Sequence, residues 1–295
     1  MKLAIIGCGE VGRLYARAAT EAFEVVLCDA FPSPAARELA VELGLTLHEQ
    51  IGDWLDGVDR VWSCVTGDVA ASVAENAGEY LSAGALFVDL STATPADKLH
   101  SSELLHAAGV DYADAVIMGA IGMTGLGTSL LVSGIAAQAA VTDFGAIGAP
   151  ARALDNARPG DAAALKLLRT VLTKGIEALA VEALVSAEKQ GVREELYRVL
   201  GDIDTQGFTA FLDAVVRSHL LHAERRSHEV DRAVAQLDQA HLPSSVLAGT
   251  RSLYERTVRS LADNPPGPNA ASSIDTALVW LLSVSDADAD ADATV

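Results

Sequence analysis

The sequence has few basic residues, and no apolar run in it is long enough to cross a membrane. Lysine and arginine number 21 against 40 aspartates and glutamates, which gives a formal net charge of -19 at pH 7. A surface of that sign repels phosphate backbones, so the composition argues against a nucleic-acid-binding module. Every strongly apolar run ends well before the ~20 residues that a bilayer-spanning helix needs. Residues 1–7, with one basic residue before a short apolar stretch, lack the pattern of a secretion signal. We therefore expect a cytoplasmic protein without nucleic-acid or membrane partners.

Cysteine is also scarce, and the arrangement of the cysteines does not match a zinc motif. All three lie in or beside apolar strand-like runs without CxxC spacing: Cys8, Cys28 and Cys64. Three histidines of one helical segment lack carboxylates at ligand spacing: His219, His222 and His228. The sequence therefore predicts buried free thiols and no metal site.

Hydrophobic residues make up 50% of the 295-residue chain, enough for a sizeable core and for two domains. Up to about residue 150, short β-branched runs alternate with helical stretches, which is typical of a parallel sheet covered by helices. The predicted strands are 2–7, 24–29, 60–65, 85–91, 110–119 and 129–134. The predicted helices between them include 11–22, 34–43 and 69–81. The pattern of this half of the chain predicts a doubly wound parallel sheet.

From about residue 160 the strand pattern disappears and segments rich in alanine and leucine follow. The first of them, 161–190, is apolar on most of its circumference, which predicts burial between other elements. Acids at positions 286, 288, 290 and 292 predict a solvated, disordered end. We therefore predict an α/β domain in residues 1–157, an all-helical domain in residues 158–284 and a disordered acidic tail in residues 285–295.

A glycine-rich turn follows the first predicted strand and opens a helix. In a dinucleotide site the first glycine permits a tight turn, the second admits the pyrophosphate, and the third lets the helix pack closely on its strand. The helix N-terminus then offers free N–H groups to the phosphates. The second strand ends at Asp29, at the distance expected of an acid that binds ribose hydroxyls. The predicted Rossmann-type cofactor site comprises Gly7, Gly9, Glu10, Val11, Gly12 and Asp29.

Asp29 also bears on which dinucleotide binds. A carboxylate at this position repels an added 2′-phosphate, so NAD is favoured over NADP. Arg37 weakens this preference, because its side chain could turn toward such a phosphate. The sequence thus predicts NAD and leaves NADP open.

Four further segments carry motifs. They are Cys64-Val65-Thr66, Asp89-Leu90-Ser91-Thr92, Asp114-Ala115-Val116-Ile117-Met118-Gly119-Ala120 and Leu130-Leu131-Val132-Ser133-Gly134. Together they resemble the motifs of the β-hydroxyacid dehydrogenases, the family that includes 3-hydroxyisobutyrate and 6-phosphogluconate dehydrogenases. The resemblance runs through most of the chain.

The resemblance implies a role for each of these segments. The loop with Val65 and Thr66 would run beside the nicotinamide ribose. Ser91 and Thr92 would contact the substrate carboxylate. Met118 and Gly119 fall in the family's substrate motif. Met118, however, stands where the family has a substrate-binding serine, so a thioether replaces a hydroxyl donor. The substrate of the better-known relatives therefore does not carry over.

Lys166 interrupts the apolar face of the first long helix. Arg169 and Thr170 follow about one turn later, so the three residues form one polar stripe. A lysine whose pKa is lowered by burial can take the hydroxyl proton in an alcohol oxidation. From the pattern alone, an ion pair or a lysine whose ammonium reaches solvent is the commoner role. The resemblance reverses that preference, because Lys166 lies where the family has its catalytic lysine; Arg169 and Thr170 replace the asparagine that the family has there and are candidate substrate contacts.

The helical half looks like the poorly characterised C-terminal domain of a side branch of 6-phosphogluconate dehydrogenase-like proteins. The resemblance implies a substrate and dimerisation domain, with a homodimer formed by interlocked helices. Arg225 and Arg226 favour ion pairs, and entry of either into a neighbouring active site is left open.

The sequence as a whole predicts an NAD-dependent oxidoreductase that interconverts a hydroxyl and a carbonyl on a small, acidic substrate. Two alternatives remain. One is an imine reductase-like enzyme, although such enzymes usually carry Asp or Tyr at the position of Lys166. The other is a non-catalytic dinucleotide-binding or redox-sensing protein.

Overall fold

The N-terminal part of the chain forms one eight-stranded sheet. The computed structural model describes residues 1–119, 121–205 and 207–292, and at positions 202, 204 and 285–292 it describes the backbone alone. The strands are β1 (Lys2–Ile6), β2 (Glu24–Cys28), β3 (Leu47–His48), β4 (Arg60–Ser63), β5 (Leu86–Asp89), β6 (Asp111–Ile117), β7 (Leu130–Ser133) and β8 (Ala151–Ala153). Their order is β3-β2-β1-β4-β5-β6-β7-β8. Neighbouring strands are parallel, except that β7 is antiparallel to β6.

The helices of the sheet-bearing half lie between these strands. They are α1 (Glu10–Ala19), α2 (Pro34–Leu43), α3 (Ala70–Gly78), α4 (Pro95–Ala107), α5 (Ile121–Thr124) and α6 (Ala137–Ala146). Local sequence signals explain their limits. Ser33 caps α2 by accepting a hydrogen bond from the Ala36 N–H, and Gly44 ends that helix with a φ of +65°. Thr94 and Asp97 form a reciprocal capping box at the start of α4.

Each face of the sheet has its own core. On one face the aromatic rings of Tyr15, Trp62 and Phe144 contact one another with centroid separations of 4.8–5.9 Å. On the other face Phe87 and Tyr112 stack at 6.2 Å. All five side chains are buried. On β4, Trp62 belongs to the first core and its neighbour Val61 to the second, so successive strand positions face opposite cores, as a doubly wound sheet requires.

The register of the sheet aligns the carboxyl ends of its central strands. Ile6 of β1 pairs with Cys28 of β2 and with Ser63 of β4. Ser63 pairs with Asp89 of β5, and Asp89 pairs in turn with Asp114 of β6. The strand order reverses direction between β1 and β4, which is where doubly wound sheets bind ligands.

The rest of the described chain is helical. It comprises α7 (Asp161–Lys189), α8 (Arg193–Val199), α9 (Phe208–Gln239), α10 (Ser245–Asp263) and α11 (Ile274–Asp292). The predicted fold class, a doubly wound sheet followed by a helical C-terminal half, is confirmed. Compact units are Met1–Leu172 and Thr173–Val295, whereas the predicted boundary at 157/158 falls just before α7. Within the second unit Leu220, Ala277 and Trp280 form a small buried cluster.

Three features of the fold differ from the sequence-based expectations. The strands β3 and β8 were not predicted, because two or three residues are too few to show a periodic pattern. The strand β7 is antiparallel to β6 because the connection holds only the four-residue α5 and a 3-10 turn, Gly125–Gly127, instead of a crossover helix.

The third difference concerns α7. The apolar circumference of this helix predicted burial, and Ala162 and Ala163 at its start are indeed buried against β6 and β7. Further along, however, Leu168 is 65%, Val171 73% and Val181 59% exposed in the single chain. Within the single chain, the expected burial is therefore found at the start of α7 and not at these three side chains.

The predicted disordered segment 285–295 begins within α11; positions 293–295 lie outside the described residues. Among the described helices, none combines the length and the apolar character that a membrane span requires.

Candidate active site

The glycine loop joins β1 to α1 at the carboxyl edge of the sheet. Gly7 has a φ of +91°, and a Cβ atom there would lie 2.9 Å from the backbone of Cys64. A Cβ on Gly12 would lie 1.9 Å from the Gly7 carbonyl oxygen, so the close approach of α1 to the loop requires glycine. A Cβ on Gly9 would meet nothing within 4 Å. The protein's own packing thus explains Gly7 and Gly12, while Gly9 leaves open space where a pyrophosphate would approach.

The first turn of α1 points free N–H groups into the same space. Gly9 is the N-cap of α1 and provides no side chain to cap it. Glu10 is exposed, whereas Val11 is partly buried against the sheet. An uncapped helix N-terminus beside an open glycine is a cradle that fits the phosphates of a dinucleotide.

Asp29 lies directly after β2 and is tied to the glycine loop. Its Oδ2 accepts a hydrogen bond of 2.7 Å from the Cys8 N–H, and its Oδ1 accepts one of 2.9 Å from the Phe31 N–H. Each carboxylate oxygen retains a lone pair that can accept a ribose hydroxyl. Arg37 is engaged elsewhere, in a 2.8 Å ion pair with Glu49.

The ends of β4 and β5 continue this edge. A Cβ on Gly7 would also lie 3.0 Å from Val65, so the loop after β4 borders the glycine loop. The Thr66 hydroxyl donates to Asp68 and thereby lowers the pKa of that exposed carboxyl. A Cβ on Gly67 would come within 2.9 Å of the Thr92 backbone, which brings the β4 and β5 loops together.

Ser91 and Thr92, the predicted substrate contacts, differ in exposure. Ser91 is 2% exposed and its hydroxyl oxygen accepts a hydrogen bond of 3.3 Å from the Ala93 N–H. Thr92 is exposed at the same edge. The turn therefore presents Thr92 outward, while Ser91 stabilises the backbone of the turn.

Met118 and Gly119 follow β6. The Met118 side chain packs against the cluster of Val116, Leu131, Ala162 and Ala163. It also lines a groove of about 400 Å³ between β7 and β8. This thioether therefore contributes to the contact between the sheet and the start of α7 as well as to an open surface, and Gly119 is exposed beside it.

Lys166 is half-buried on the first part of α7. Burial lowers the pKa of this lysine, the nearby cation Lys98 lowers it further, and the carboxylate of Asp114 acts in the opposite direction. Thr170 is exposed, and its hydroxyl donates a hydrogen bond of 2.9 Å to the Lys166 carbonyl oxygen. That proton is therefore not directed at a substrate in this structure. Arg169 is also exposed.

A buried ionic cluster next to Lys166 was not predicted. The Lys98 ammonium, on α4, is fully buried and lies 3.1 Å from a carboxylate oxygen of Asp89 and 3.1 Å from one of Asp114. In the sequence both acids are visible only as parts of motifs. Acids at the ends of apolar strands indicate that a buried cation pairs with them. Nothing in the helical pattern of 95–107, however, marks Lys98 as that cation.

The other residues that the sequence singled out are the cysteines of this edge and two arginines of the second unit. Cys8, Cys28 and Cys64 are free thiols, and Cys8 and Cys28 are buried, as predicted. Burial raises the pKa of the Cys8 thiol to about 12 and that of Cys28 to about 11. In the second unit Arg225 forms an ion pair with Glu229, while Arg226 donates to the Ser218 hydroxyl at 3.0 Å. The described residues contain no cluster of three or more His, Cys, Asp or Glu side chains able to hold a metal ion.

Comparisons with known proteins bear on both halves of the chain. Residues 2–149 match the family described as the NAD binding domain of 6-phosphogluconate dehydrogenase. Residues 187–257 match a domain of unknown function, DUF1932. A relative in Methanothermus fervidus, described as an uncharacterized 28.5 kDa protein in the 7S RNA 5′ region, is 26% identical over 86% of this chain and 98% of its own length.

Two solved structures are informative. A conserved protein of unknown function, reported to be structurally similar to 3-hydroxyacid dehydrogenases, is 26% identical with a TM-score of 0.60, and the match covers 89% of this chain and 98% of that one. An imine reductase variant from Myxococcus stipitatus, in complex with NAD+, is 18% identical with a TM-score of 0.73 over 88% of this chain and 94% of that one. The second likeness shows the shared fold.

The match over residues 2–149 coincides with the sheet, the glycine loop and the strand-end residues described above. The open space at Gly9 and the uncapped start of α1 fit the dinucleotide that this domain binds. The chain therefore belongs to the family of NAD(P)-dependent oxidoreductases that carry the NAD-binding domain of 6-phosphogluconate dehydrogenase.

Proposed function

We propose that this protein interconverts a hydroxyl and a carbonyl on a small, acidic substrate, with Lys166 as the general acid and base. The observation that carries the proposal is the position of Lys166. It is half-buried at the start of α7, beside Asp114 of the same sheet edge that holds the glycine loop. We assign dinucleotide binding to residues 1–157 and substrate binding and dimerisation to residues 158–284.

The chemistry required of the chain is the movement of one proton. The glycine loop and Asp29 would hold a nicotinamide dinucleotide, which would supply the hydride transfer at carbon. In the oxidation the neutral amine of Lys166 takes the hydroxyl proton, and in the reduction its ammonium returns a proton to the carbonyl oxygen. Because burial lowers the pKa of Lys166, its neutral form is populated at lower pH than that of an ordinary lysine.

Other residues of the same edge support an acidic substrate. Thr92 and Gly119 are exposed near the strand ends. Arg169 is exposed about one turn beyond Lys166 and has the fork of donors that binds a carboxylate with two hydrogen bonds. Met118 offers no hydroxyl, so a carboxylate held at this edge would depend on Arg169 and Thr92.

Imine reduction is the second candidate, and the likeness to an imine reductase with a TM-score of 0.73 favours testing it. In that reaction the Lys166 ammonium would donate its proton to nitrogen instead of oxygen. The third candidate is a non-catalytic dinucleotide-binding or redox-sensing protein. Lys166 would then form only structural contacts.

The test is a panel of substrates on which turnover is measured by the change in nicotinamide absorbance. Purified protein is offered 2- and 3-hydroxy acids, the matching keto acids and cyclic imines, each with NAD and NADP. We expect turnover of a hydroxy acid that rises with pH through the lowered pKa of Lys166, and turnover of the keto acid that falls over the same range. Turnover confined to imines would replace the proposal with the second candidate, and binding without any turnover would favour the third.

The same panel tests the cofactor preference. We expect NAD to bind more tightly than NADP, because the Asp29 carboxylate repels a 2′-phosphate. Asp29→Asn keeps an oxygen that can accept the Cys8 N–H and removes the charge. The dissociation constant of NADP divided by that of NAD should therefore fall by about tenfold. Calorimetry that shows tighter binding of NADP to the native protein would contradict this assignment.

We further propose that the exposed apolar face of α7 is covered by a second copy of the chain. Leu168, Val171 and Val181 are each more than half exposed, and apolar side chains exposed along one helix are typical of a protein contact surface. Light scattering should therefore give at least twice the chain mass of 30.6 kDa. Val171→Glu should shift the protein toward monomer, whereas Ile135→Glu, at a residue 94% exposed outside α7, should not. A native monomer at micromolar concentration would refute this dimer.

A further inference from the structure

We propose that Lys98 is a positioning residue for the candidate active site: its buried ammonium holds the strand-end carboxylates of Asp89 and Asp114 together and controls the charge that Lys166 faces. The inference rests on the proposed role of Lys166 for its catalytic consequence. Its structural part, the influence of Lys98 on Lys166, stands without it.

Lys98 is held by one hydrogen bond and two ion pairs. The side chain is 0% exposed. Its Nζ donates to the Asp89 carbonyl oxygen at 2.8 Å and lies 3.1 Å from one carboxylate oxygen each of Asp89 and Asp114. The ammonium is therefore tied to both strand-end carboxylates, and its charge balances one of their two negative charges.

The Asp89 carboxylate has two partners besides Lys98. Asp89 accepts hydrogen bonds from the Ser91 N–H at 2.8 Å and from the Tyr112 hydroxyl at 3.0 Å. Burial and the two acids raise the pKa of Tyr112 well above its ordinary value, so its hydroxyl keeps the donated proton. The cluster thus fixes the turn that presents Ser91 and Thr92.

Asp114 connects the cluster to α7. Its Oδ2 accepts hydrogen bonds from the Ser133 hydroxyl at 3.1 Å, the Gly160 N–H at 3.2 Å and the Ala163 N–H at 3.0 Å. Its Oδ1 faces Lys98. Asp114 is therefore fixed at the N-terminal turn of α7, one turn before Lys166, and Lys98 is bound to the other side of the same carboxylate.

Stability alone does not account for this arrangement. Desolvation of a buried ionic group offsets much of its Coulomb attraction, and well-packed apolar residues are often as stable in its place. The buried cluster is therefore weak evidence for stability, and the group on which its charge acts has to be identified. Lys166 is the charged group that both Lys98 and Asp114 influence.

The effect of Lys98 on Lys166 has a definite sign. The charged groups that face Lys166 are Lys98 from α4 and Asp114 from β6, and Arg169 follows about one turn along α7 itself. Lys98 repels the protonated form of Lys166, and it also neutralises Asp114, which would otherwise favour that form. Loss of the Lys98 charge should therefore raise the pKa of Lys166.

The experiment measures that pKa directly. The chain contains only five lysines, Lys2, Lys98, Lys166, Lys174 and Lys189, so ¹³C-methyl labelling of accessible amines gives few NMR signals. Lys166→Arg identifies the signal of Lys166. We compare native protein, Lys98→Met and Lys98→Arg, the last of which retains the positive charge. In Lys98→Met the titration midpoint of Lys166 should rise by about one pH unit, which lowers the neutral fraction about tenfold at a fixed pH, while Lys98→Arg should stay near native.

An opposite change in a second variant keeps the test decisive if Lys98→Met fails to fold. Asp114→Asn retains an oxygen for the three donors and removes the negative charge, so the midpoint of Lys166 should move down. The signals of Lys2, Lys174 and Lys189 should not move in any variant. A Lys166 midpoint that stays at its native value in folded Lys98→Met, or in Asp114→Asn, would overturn the proposal.

The pH profile of turnover, measured on the same variants, distinguishes this proposal from the proposed function. If both hold, the pH midpoint of hydroxyl oxidation moves together with the NMR midpoint of Lys166. If the NMR midpoint moves while the pH profile of turnover does not, Lys98 acts on Lys166 as proposed and Lys166 is not the catalytic base.

Discussion

Lys166→Met is expected to lower turnover by about 10²–10⁴-fold, the usual contribution of a positioned acid or base. Methionine keeps the unbranched apolar chain but has no group that exchanges a proton. Because Lys166 is half-buried, the retained chain preserves its packing, and thermal stability and NAD affinity should change little. Initial rates, calorimetry and a melting curve of the same preparation measure the three properties.

A matched control exists on the same helix. Lys174 is 69% exposed and pairs with Glu177 at 2.5 Å, so Lys174→Met makes the identical chemical change at a surface ion pair. Turnover of that variant should remain near native. Thr170→Val should have a smaller effect than Lys166→Met, since the Thr170 hydroxyl donates to the Lys166 carbonyl. Near-normal turnover of a folded Lys166→Met protein would refute the catalytic role, and loss of folding in it would favour a structural ion pair.

Two alanine substitutions in the glycine loop are expected to separate folding from cofactor binding. In Gly12→Ala the new Cβ would lie 1.9 Å from the Gly7 carbonyl oxygen, so α1 must shift, and the free energy of unfolding should fall by about 1–3 kcal/mol or more. In Gly9→Ala the new Cβ meets no protein atom within 4 Å, and the φ of -67° at this position suits alanine. Gly9→Ala should fold normally and bind NAD about 10–100-fold more weakly, since it obstructs one charge-assisted contact.

The two variants are compared with the native protein in stability and in affinity for NAD. Chemical denaturation gives the stability of each, and titration with NAD gives the affinity. Gly9→Ala with native affinity would mean that no pyrophosphate approaches this glycine. Gly12→Ala with native stability would mean that the helix and the loop are less closely packed than the structure shows.

The sequence by itself determined the two-part architecture and the cofactor loop. Glycines at 7, 9 and 12 and an acid at 29 lie within about one strand–helix–strand unit, so their geometry follows from local structure. The first long helix was also predicted, from 161 to 190, and the structure has α7 at Asp161–Lys189. Short-range patterns are sufficient for such features because the residues involved are close along the chain.

The tertiary structure alone decided the buried cluster and its relation to Lys166. Lys98, Asp89 and Asp114 come from three elements that only the sheet register and the packing of α4 bring within 3.1 Å. A helical lysine in a polar stretch gives no sign that it is fully buried. The same holds for α7, whose apolar pattern predicted burial, whereas Leu168, Val171 and Val181 are exposed in the single chain. Periodicity reports which side of a helix is apolar, whereas the contacts that satisfy a charge or cover a face depend on residues far apart in sequence.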